Sequence, residues 1–416
     1  MRVLHVLHHS IPYLDGYCIR SRQIVEFQKA AGVEVRVITS AQHELEVKRP
    51  PEAYVETEEI DGVTYHRTPL PEGAIRSATG RLPFGRQAVF MHQIYAAILR
   101  TLRAYPVDIL HAHSPVLCGL PTLRAARRAG VPIVYEARGF WEDGFISKWR
   151  GGERSFRYRL SRALETHVFK NADAVLAISH QMLNDISARG VEAKKLYRVP
   201  NGVDATSFAP LPPDRALIHD HHLEGAVVVG FIGSLYRFEG LETLLKAMAY
   251  VVPRVPRAKL AIVGGGEQEH ELARLAEALG LRDHVIIVGR VPHQDVNRYY
   301  SIMDVLVYPR INSRTTQLTT PLKPLEAMAM GKPVIGSDVG GIREIFADGR
   351  VGVLFPAEDE EALAEALIEL LVDPGKRFAI GEEGRRYALE ERSWQELVQQ
   401  YLRVYAAVES RERGFR

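Results

Sequence analysis

The most constraining feature of this chain is a period. Short runs rich in Val, Ile and Leu alternate with stretches of helical spacing along most of its length. Parallel strands need a crossover long enough to hold a helix, so this alternation predicts βαβ units around parallel sheets. Strands are predicted at residues 2–7, 35–39, 108–112, 132–136, 174–178 and 196–199, with helices near 20–31, 86–103, 120–129 and 181–189. Residues 42–83 break the period. Their charges, prolines and glycines predict a connecting hairpin and a mobile loop that shapes an acceptor site. After Pro200-Asn201-Gly202-Val203-Asp204 the pattern weakens through Pro210, Pro212 and Pro213, and a second series starts at Ala226. Its strands are predicted at 227–232, 259–263, 285–288, 305–308, 333–335 and 351–354. The expected fold is therefore α/β, with two facing Rossmann-like domains at 1–205 and 206–392. In the last segment, 393–416, Trp394, Leu397, Val398, Tyr401, Leu402 and Tyr405 form one buried helical stripe, suited to packing back across the junction onto the first domain.

Composition narrows the setting. A chain of 416 residues exceeds one ordinary core, and 46% hydrophobic with 25% charged residues suits globular domains. A net charge of +2 argues against a nucleic-acid partner. Two isolated cysteines, Cys18 and Cys118, make neither a disulfide framework nor a zinc cluster, which fits a reducing cytoplasm. Residues 1–7 read as a strand and not as a signal peptide, and the most apolar run, 226–235, is far short of the ~20 residues of a membrane span. One stretch, 148–162, gathers Lys148, Arg150, Arg154, Arg157, Arg159 and Arg162 against Glu153 alone. It reads either as a solvated helix face or as a peripheral contact with anionic lipid at the inner face of the membrane.

In open α/β sheets, ligands sit beyond the carboxyl ends of the strands. The first such loop runs from His8 to Tyr17 and is followed by Arg20; its Gly16 lets the backbone approach a phosphate, or serves an ordinary turn. A Gly-x-Gly-x-x-Gly fingerprint is missing there, which disfavours a dinucleotide cofactor. Alternation puts His111 and His113 on one face, with His113 at the strand edge as a substrate contact or a packed core histidine. No convergent acid or cysteine spacing completes a metal site. Glu136, Arg138 and Gly139 end the next strand, lining the same cleft or forming an ion pair. The strongest signal spans Thr319 to Val334. Thr320 is expected as N-cap and Pro321 at the first helical position, with Leu322 between them and Lys323, and Gly331 and Pro333 ending the helix. The free N–H groups and the ammonium of Lys323 suit a diphosphate, and Glu326, one turn on, suits ribose hydroxyls; the plain alternative is a capped structural helix. Gly233-Ser234-Leu235-Tyr236-Arg237, Gly264-Gly265-Gly266 and Arg290 end neighbouring strands and extend one elongated ligand site.

The run Val199 to Asp204, the Gly233-Ser234 loop, the Glu326-Ala327-Met328-Ala329 helix and Pro333-Val334-Ile335 followed by Gly340-Gly341 and Glu344 resemble glycosyltransferase family 4, the retaining enzymes of GT-B fold. The Gly16-Tyr17 loop and the Tyr135-Glu136 strand end resemble a bacterial subgroup associated with exopolysaccharide and exosortase gene clusters. The resemblance implies a nucleotide-diphosphate sugar donor, a glycan or lipid-linked acceptor, and transfer with retention, needing no divalent metal or other cofactor. It places His113 as the catalytic histidine at the transferred sugar, Gly16 at the donor diphosphate and Glu326 at the ribose. Donor contacts are then expected from Gly16, Ser234, Arg237, Gly265, Gly266, Arg290, Thr320, Pro321, Leu322, Lys323 and Glu326, and acceptor-side contacts from Tyr17, Arg20, Glu136 and Arg138. Two departures stand out. Leu318 occupies the place of the family's first glutamate, and Ser234 and Glu239 those of its usual Arg and Lys. A nucleotide-sugar epimerase of the same fold and a non-catalytic binding module are the alternatives.

Overall fold

A computed structural model describes residues 1–71, 85–143 and 152–413. Part of the expected mobile loop (72–83) and of the basic stretch (148–151) lie outside these residues. The chain divides into two compact units, Met1–Pro200 with Leu397–Arg416, and Asn201–Glu396. The sequence boundaries were 205/206 and 392/393.

The first unit is built on an eight-stranded sheet: β1 Arg2–Leu7, β2 Glu34–Thr39, β3 Thr57–Ile60, β4 Val63–Arg67, β5 Ile109–His113, β6 Ile133–Ala137, β7 Ala174–Ala177 and β8 Leu196–Arg198. Its order is β3-β4-β2-β1-β5-β6-β7-β8, parallel except for the β3–β4 hairpin. The hairpin turns on Asp61 and Gly62, both at positive φ (51° and 68°), the two-residue turn whose twist matches the strands it joins. β4 then pairs parallel with β2, so the irregular 42–83 region extends the sheet as well as connecting it. Both faces are covered by helices, and β5, β6 and β7 are buried at every position. The Gly16–Ala30 helix begins four residues before the expected start, because Asp15 caps it by accepting from the Cys18 N–H at 2.8 Å.

The second unit holds six parallel strands: β9 Val227–Ile232, β10 Ala258–Val263, β11 Val285–Gly289, β12 Val305–Tyr308, β13 Val334–Ser337 and β14 Val353–Phe355, in the order β11-β10-β9-β12-β13-β14. One apolar core runs through this unit, from Val203 and Phe208 to Tyr387 and Ala388. The last helix, Trp394–Arg413, counts with the first unit from Leu397 on, where Tyr401 and Tyr405 are fully buried. Among the described residues, no helix is long and apolar enough to cross a membrane.

Strand order fixes where a ligand belongs. In the first unit the chain leaves β1 in one direction and later resumes at β5 on its other side; in the second, β9 and β12 stand in the same relation. The loops after β1, β5, β9 and β12 therefore border the two topological switch points.

Candidate functional site

At the second unit's switch point, the loop after β9 meets the loop after β12. Arg310, 6% exposed, sends Nε and Nη2 to the Glu239 carboxylate at 3.1 and 2.8 Å and Nη1 to the Thr319 carbonyl at 3.1 Å. Glu239, standing where the resemblance expects a cation, is thus the partner of a cation supplied from β12. Beyond it the helix starts at Lys323, with Leu322 as an N-cap that makes no side-chain bond. This corrects the expected cap: the side-chain amide of Asn201 donates to both the Thr320 carbonyl (2.7 Å) and its hydroxyl (3.0 Å), so Thr320 is held in the loop and Pro321 precedes the helix. Lys323 Nζ donates to Glu326 Oε2 at 2.8 Å; the lysine side chain is 24% exposed and the glutamate 5%. Tyr300 donates to the same oxygen at 3.2 Å, and Tyr308 to the Lys323 carbonyl at 3.0 Å. Burial first pushes both phenols well above their ordinary range, with Tyr308 and Glu326 adding to the rise of Tyr300 and Glu326 to that of Tyr308, so they remain donors.

The glycine loops after β9 and β10 pack closely on each other. Gly264, at φ 141°, lies against the Gly233 carbonyl where any Cβ would collide, and a Cβ on Gly266 would fall 2.5 Å from the Leu235 carbonyl oxygen. Gly265 abuts the Arg290 side chain, at 2.6 Å from a Cβ to Cγ. Ser234, Arg237 and Arg290 are exposed. The structure thus brings together Ser234, Gly265, Gly266 and Arg290 on one side, and Thr320, Lys323 and Glu326 on the other, all within one unit.

The first unit's switch point is occupied by the protein itself. Glu136, fully buried, accepts from Arg20 Nε (2.9 Å), Arg138 Nε (2.8 Å) and Tyr401 (2.8 Å). Burial opposes its charge, yet Arg20 and Arg138 hold its carboxyl well below the usual range. From Arg138 a chain of hydrogen bonds follows, with every direction fixed by chemistry. Guanidinium only donates, so His113 Nδ1 accepts from Arg138 at 2.6 Å and its Nε2–H donates to His5 Nδ1 at 2.9 Å. His5 Nε2–H donates to Gln28 Oε1 (2.9 Å), the Gln28 amide donates to Tyr405 (2.9 Å), and Tyr405 donates to His111 Nδ1 (2.7 Å). His111 Nε2–H then faces Glu136 Oε2 at 3.5 Å. Burial keeps the three histidines neutral: His5 is lowered to about 3, and His111 and His113 are lowered as well.

This arrangement corrects three expectations. Both ring nitrogens of the buried His113 are taken by protein, so its side chain fixes Arg138 instead of facing a sugar. Arg20 also donates to the carbonyls of Val199 and Pro200, and with Glu136 it ties the core to the last helix instead of facing an acceptor. Their burial was hidden because partners such as His5 and Tyr401 lie 108 and 381 residues away. The expected His111–His113 pair gains His5, and the three offer nitrogens within 4.8 Å of one another. Five of their six ring nitrogens are engaged by each other, Gln28, Tyr405 and Arg138, and the sixth, His111 Nε2, faces Glu136.

The half-buried loop after β1 remains. Tyr17 accepts from the His8 N–H at 3.0 Å, stacks on His9 with ring centres 4.7 Å apart, and carries the Arg138 guanidinium 4.7 Å above its ring. Gly16 is exposed in the helix's first turn. Arg310, Asn201, Tyr300 and Tyr308 were missed in the sequence; only the position of Arg310, two residues past β12, marked it.

Residues 216–387 match the family model of group 1 glycosyl transferases, and residues 16–202 the glycosyl transferase 4-like domain. A GDP-mannose-dependent alpha-mannosyltransferase of Mycolicibacterium smegmatis is 28% identical over 98% of both chains. A GDP-mannose-dependent alpha-(1-6)-phosphatidylinositol monomannoside mannosyltransferase of the same organism is 30% identical over 56% of this chain, which spans 62% of that relative. Among solved structures, sucrose-phosphate synthase of Thermosynechococcus elongatus superposes with a TM-score of 0.77 at 22% identity, covering 99% of this chain and 100% of that one. Anabaena HepE in complex with UDP gives 0.76 at 17% identity, covering 98% and 100%. With two glycosyltransferase models tiling its two units and neighbours of GT-B fold along its whole length, the chain belongs to the group 1, 4-like glycosyltransferases.

Proposed function

We propose that this enzyme transfers a hexosyl or N-acetylhexosaminyl group, with retention, from a nucleotide-diphosphate sugar to a hydroxyl of a glycan or lipid-linked saccharide in polysaccharide synthesis. The observation that carries the donor reading is the Lys323–Glu326 pair at the β9/β12 switch point, with the exposed Arg237 and Arg290 in the loops after β9 and β11. Lys323, Arg237 and the N–H groups around Leu322 would stabilise the departing diphosphate, Glu326 would accept from ribose hydroxyls, and Gly265, Gly266 and Arg290 would border the base. Charge on the leaving group is then met by fixed dipoles and cations, with no divalent metal. The glycosyl–oxygen bond breaks as the acceptor oxygen attacks the same face, so no enzymic nucleophile is needed. The mannosyltransferase relatives favour a GDP-sugar and the UDP complex of HepE a uridine one; both belong in the test.

The experiment is product analysis with UDP-, GDP- and ADP-sugars. Acceptor-dependent release of nucleotide diphosphate supports transfer, interconversion of free nucleotide-sugars supports an epimerase, and binding without turnover supports a binding module. A cytoplasmic enzyme meeting a lipid-linked acceptor would profit from the basic stretch at 148–162, where Phe156 is 77% exposed between Arg154 and Arg159. Flotation with anionic vesicles checks that contact: changing Arg154, Arg157 and Arg159 to Glu should abolish it.

A further inference from the structure

Three side chains stand in line in the loop after β1. Asp15 accepts from the Cys18 N–H through Oδ1 and meets His9 Nε2 at 2.9 Å through Oδ2. A carboxylate only accepts, so His9 places its hydrogen on Nε2 and keeps the Nδ1 lone pair. His8 Nδ1 lies 3.1 Å from that lone pair and therefore donates to it. His8 is left with a lone pair on Nε2, for which the described residues supply no hydrogen-bond donor. Tyr17 locks the row from both sides, stacking on the His9 ring and accepting from the His8 backbone. The row stands at the carboxyl end of β1, beside the first unit's switch point.

We propose that His8 Nε2 is the base that takes the proton from the acceptor hydroxyl, with His9 and Asp15 as the positioning residues behind it. The inference rests on the glycosyl-transfer reading above. As the acceptor oxygen forms its bond to the anomeric carbon, the bond from that carbon to the donor diphosphate breaks and its electron pair leaves with the diphosphate. The acceptor proton goes to His8 Nε2, and the Nδ1 proton of His8 passes to His9 Nδ1. His9 becomes an imidazolium paired with the Asp15 carboxylate; product release returns the proton to solvent by the reverse transfers. The relay matters because burial holds His8 itself to about 3, so a lone charged His8 is costly, whereas His9 carries the charge beside a carboxylate. Burial would raise Asp15, but its bonds to His9 and Cys18 hold it below its ordinary value. The other titratable or charged groups facing the row are Tyr13, Tyr17, Cys18, His43 and Arg138.

The test uses the full-length enzyme with its best donor and acceptor. His8→Ala should lower kcat about 100-fold or more, while the nucleotide-induced rise in Tm stays as in the wild type. Asp15→Asn keeps the helix cap and removes the charge. It should lower kcat about tenfold and move the acid limb of the pH–rate profile to lower pH, because the Asp15 carboxylate works against the burial that lowers His8. A purely structural row would lower Tm and nucleotide binding together and leave the limb in place, overturning the proposal, as would His8→Ala within about threefold of wild type. A wild-type chain that never transfers to an acceptor overturns the transfer reading itself and the relay with it.

Discussion

The two switch points share a topology and treat it in opposite ways. At β1/β5, three imidazoles, two guanidiniums, a carboxylate, an amide and two phenols are linked mostly to each other. At β9/β12, glycines pack the loops tightly while Lys323, Arg237 and Arg290 stay accessible and Glu326 sits at the base of the pair. The first is a structural joint, coupling β1, β5 and β6 to the last helix through Tyr401 and Tyr405. The second keeps cations exposed, the feature on which the donor proposal rests. The strand order therefore offers a ligand position at each junction, and side-chain chemistry decides whether the protein fills it.

Substitutions should separate the two. Glu136→Ala leaves Arg20 and Arg138 buried without a carboxylate and should cost about 3–5 kcal/mol in denaturant unfolding; a loss under about 1 kcal/mol, the scale of an exposed pair, would break the comparison. Acid acts on the same chain of bonds. The unfolded His5 takes up a proton below its ordinary 6.5, the native one only near 3, so folding stability falls as pH drops from about 6.5 toward 3. Glu136, depressed in the native state, contributes stability above the ordinary carboxylate range and loses it as pH falls below, with the same sign. Thermal unfolding between pH 8 and 4 checks this, and a Tm that rises on acidification contradicts it. Lys323→Ala and Glu326→Gln should each weaken nucleotide binding by roughly 10–100-fold, the scale of hydrogen bonds to charged groups. Calorimetric titration measures this, and unchanged affinity in both removes the donor site from β9/β12. Smallest is Tyr405→Phe, which breaks the chain of bonds between Gln28 and His111 and should cost about 1–2 kcal/mol of stability without changing nucleotide affinity.

Much of this was legible beforehand because periodicity is a local property. β1, β9 and β12 were placed to the residue and nine further strands to within two residues at either end, while β3 and β4 were foreseen only as a connecting hairpin, since β-branched runs between turn residues mark a buried parallel strand wherever they occur. Strand ends then directed attention to the loops that hold Lys323, Glu326 and the glycine runs. Partners were harder. The Thr320 cap failed because Asn201, 119 residues away, claims that residue, and His113 looked free because nothing nearby in the chain competes for its nitrogens. Arg310, from a different strand, is the partner of Glu239, which stands where the resemblance expects a cation.

By itself the sequence determined the two βα series, the loops at their strand ends and the family. Only the tertiary structure decided which polar residues in those loops are spent on each other and which remain for a ligand. A hydrogen bond has two ends, and local pattern displays one of them; the other is brought close by the strand order that folding creates.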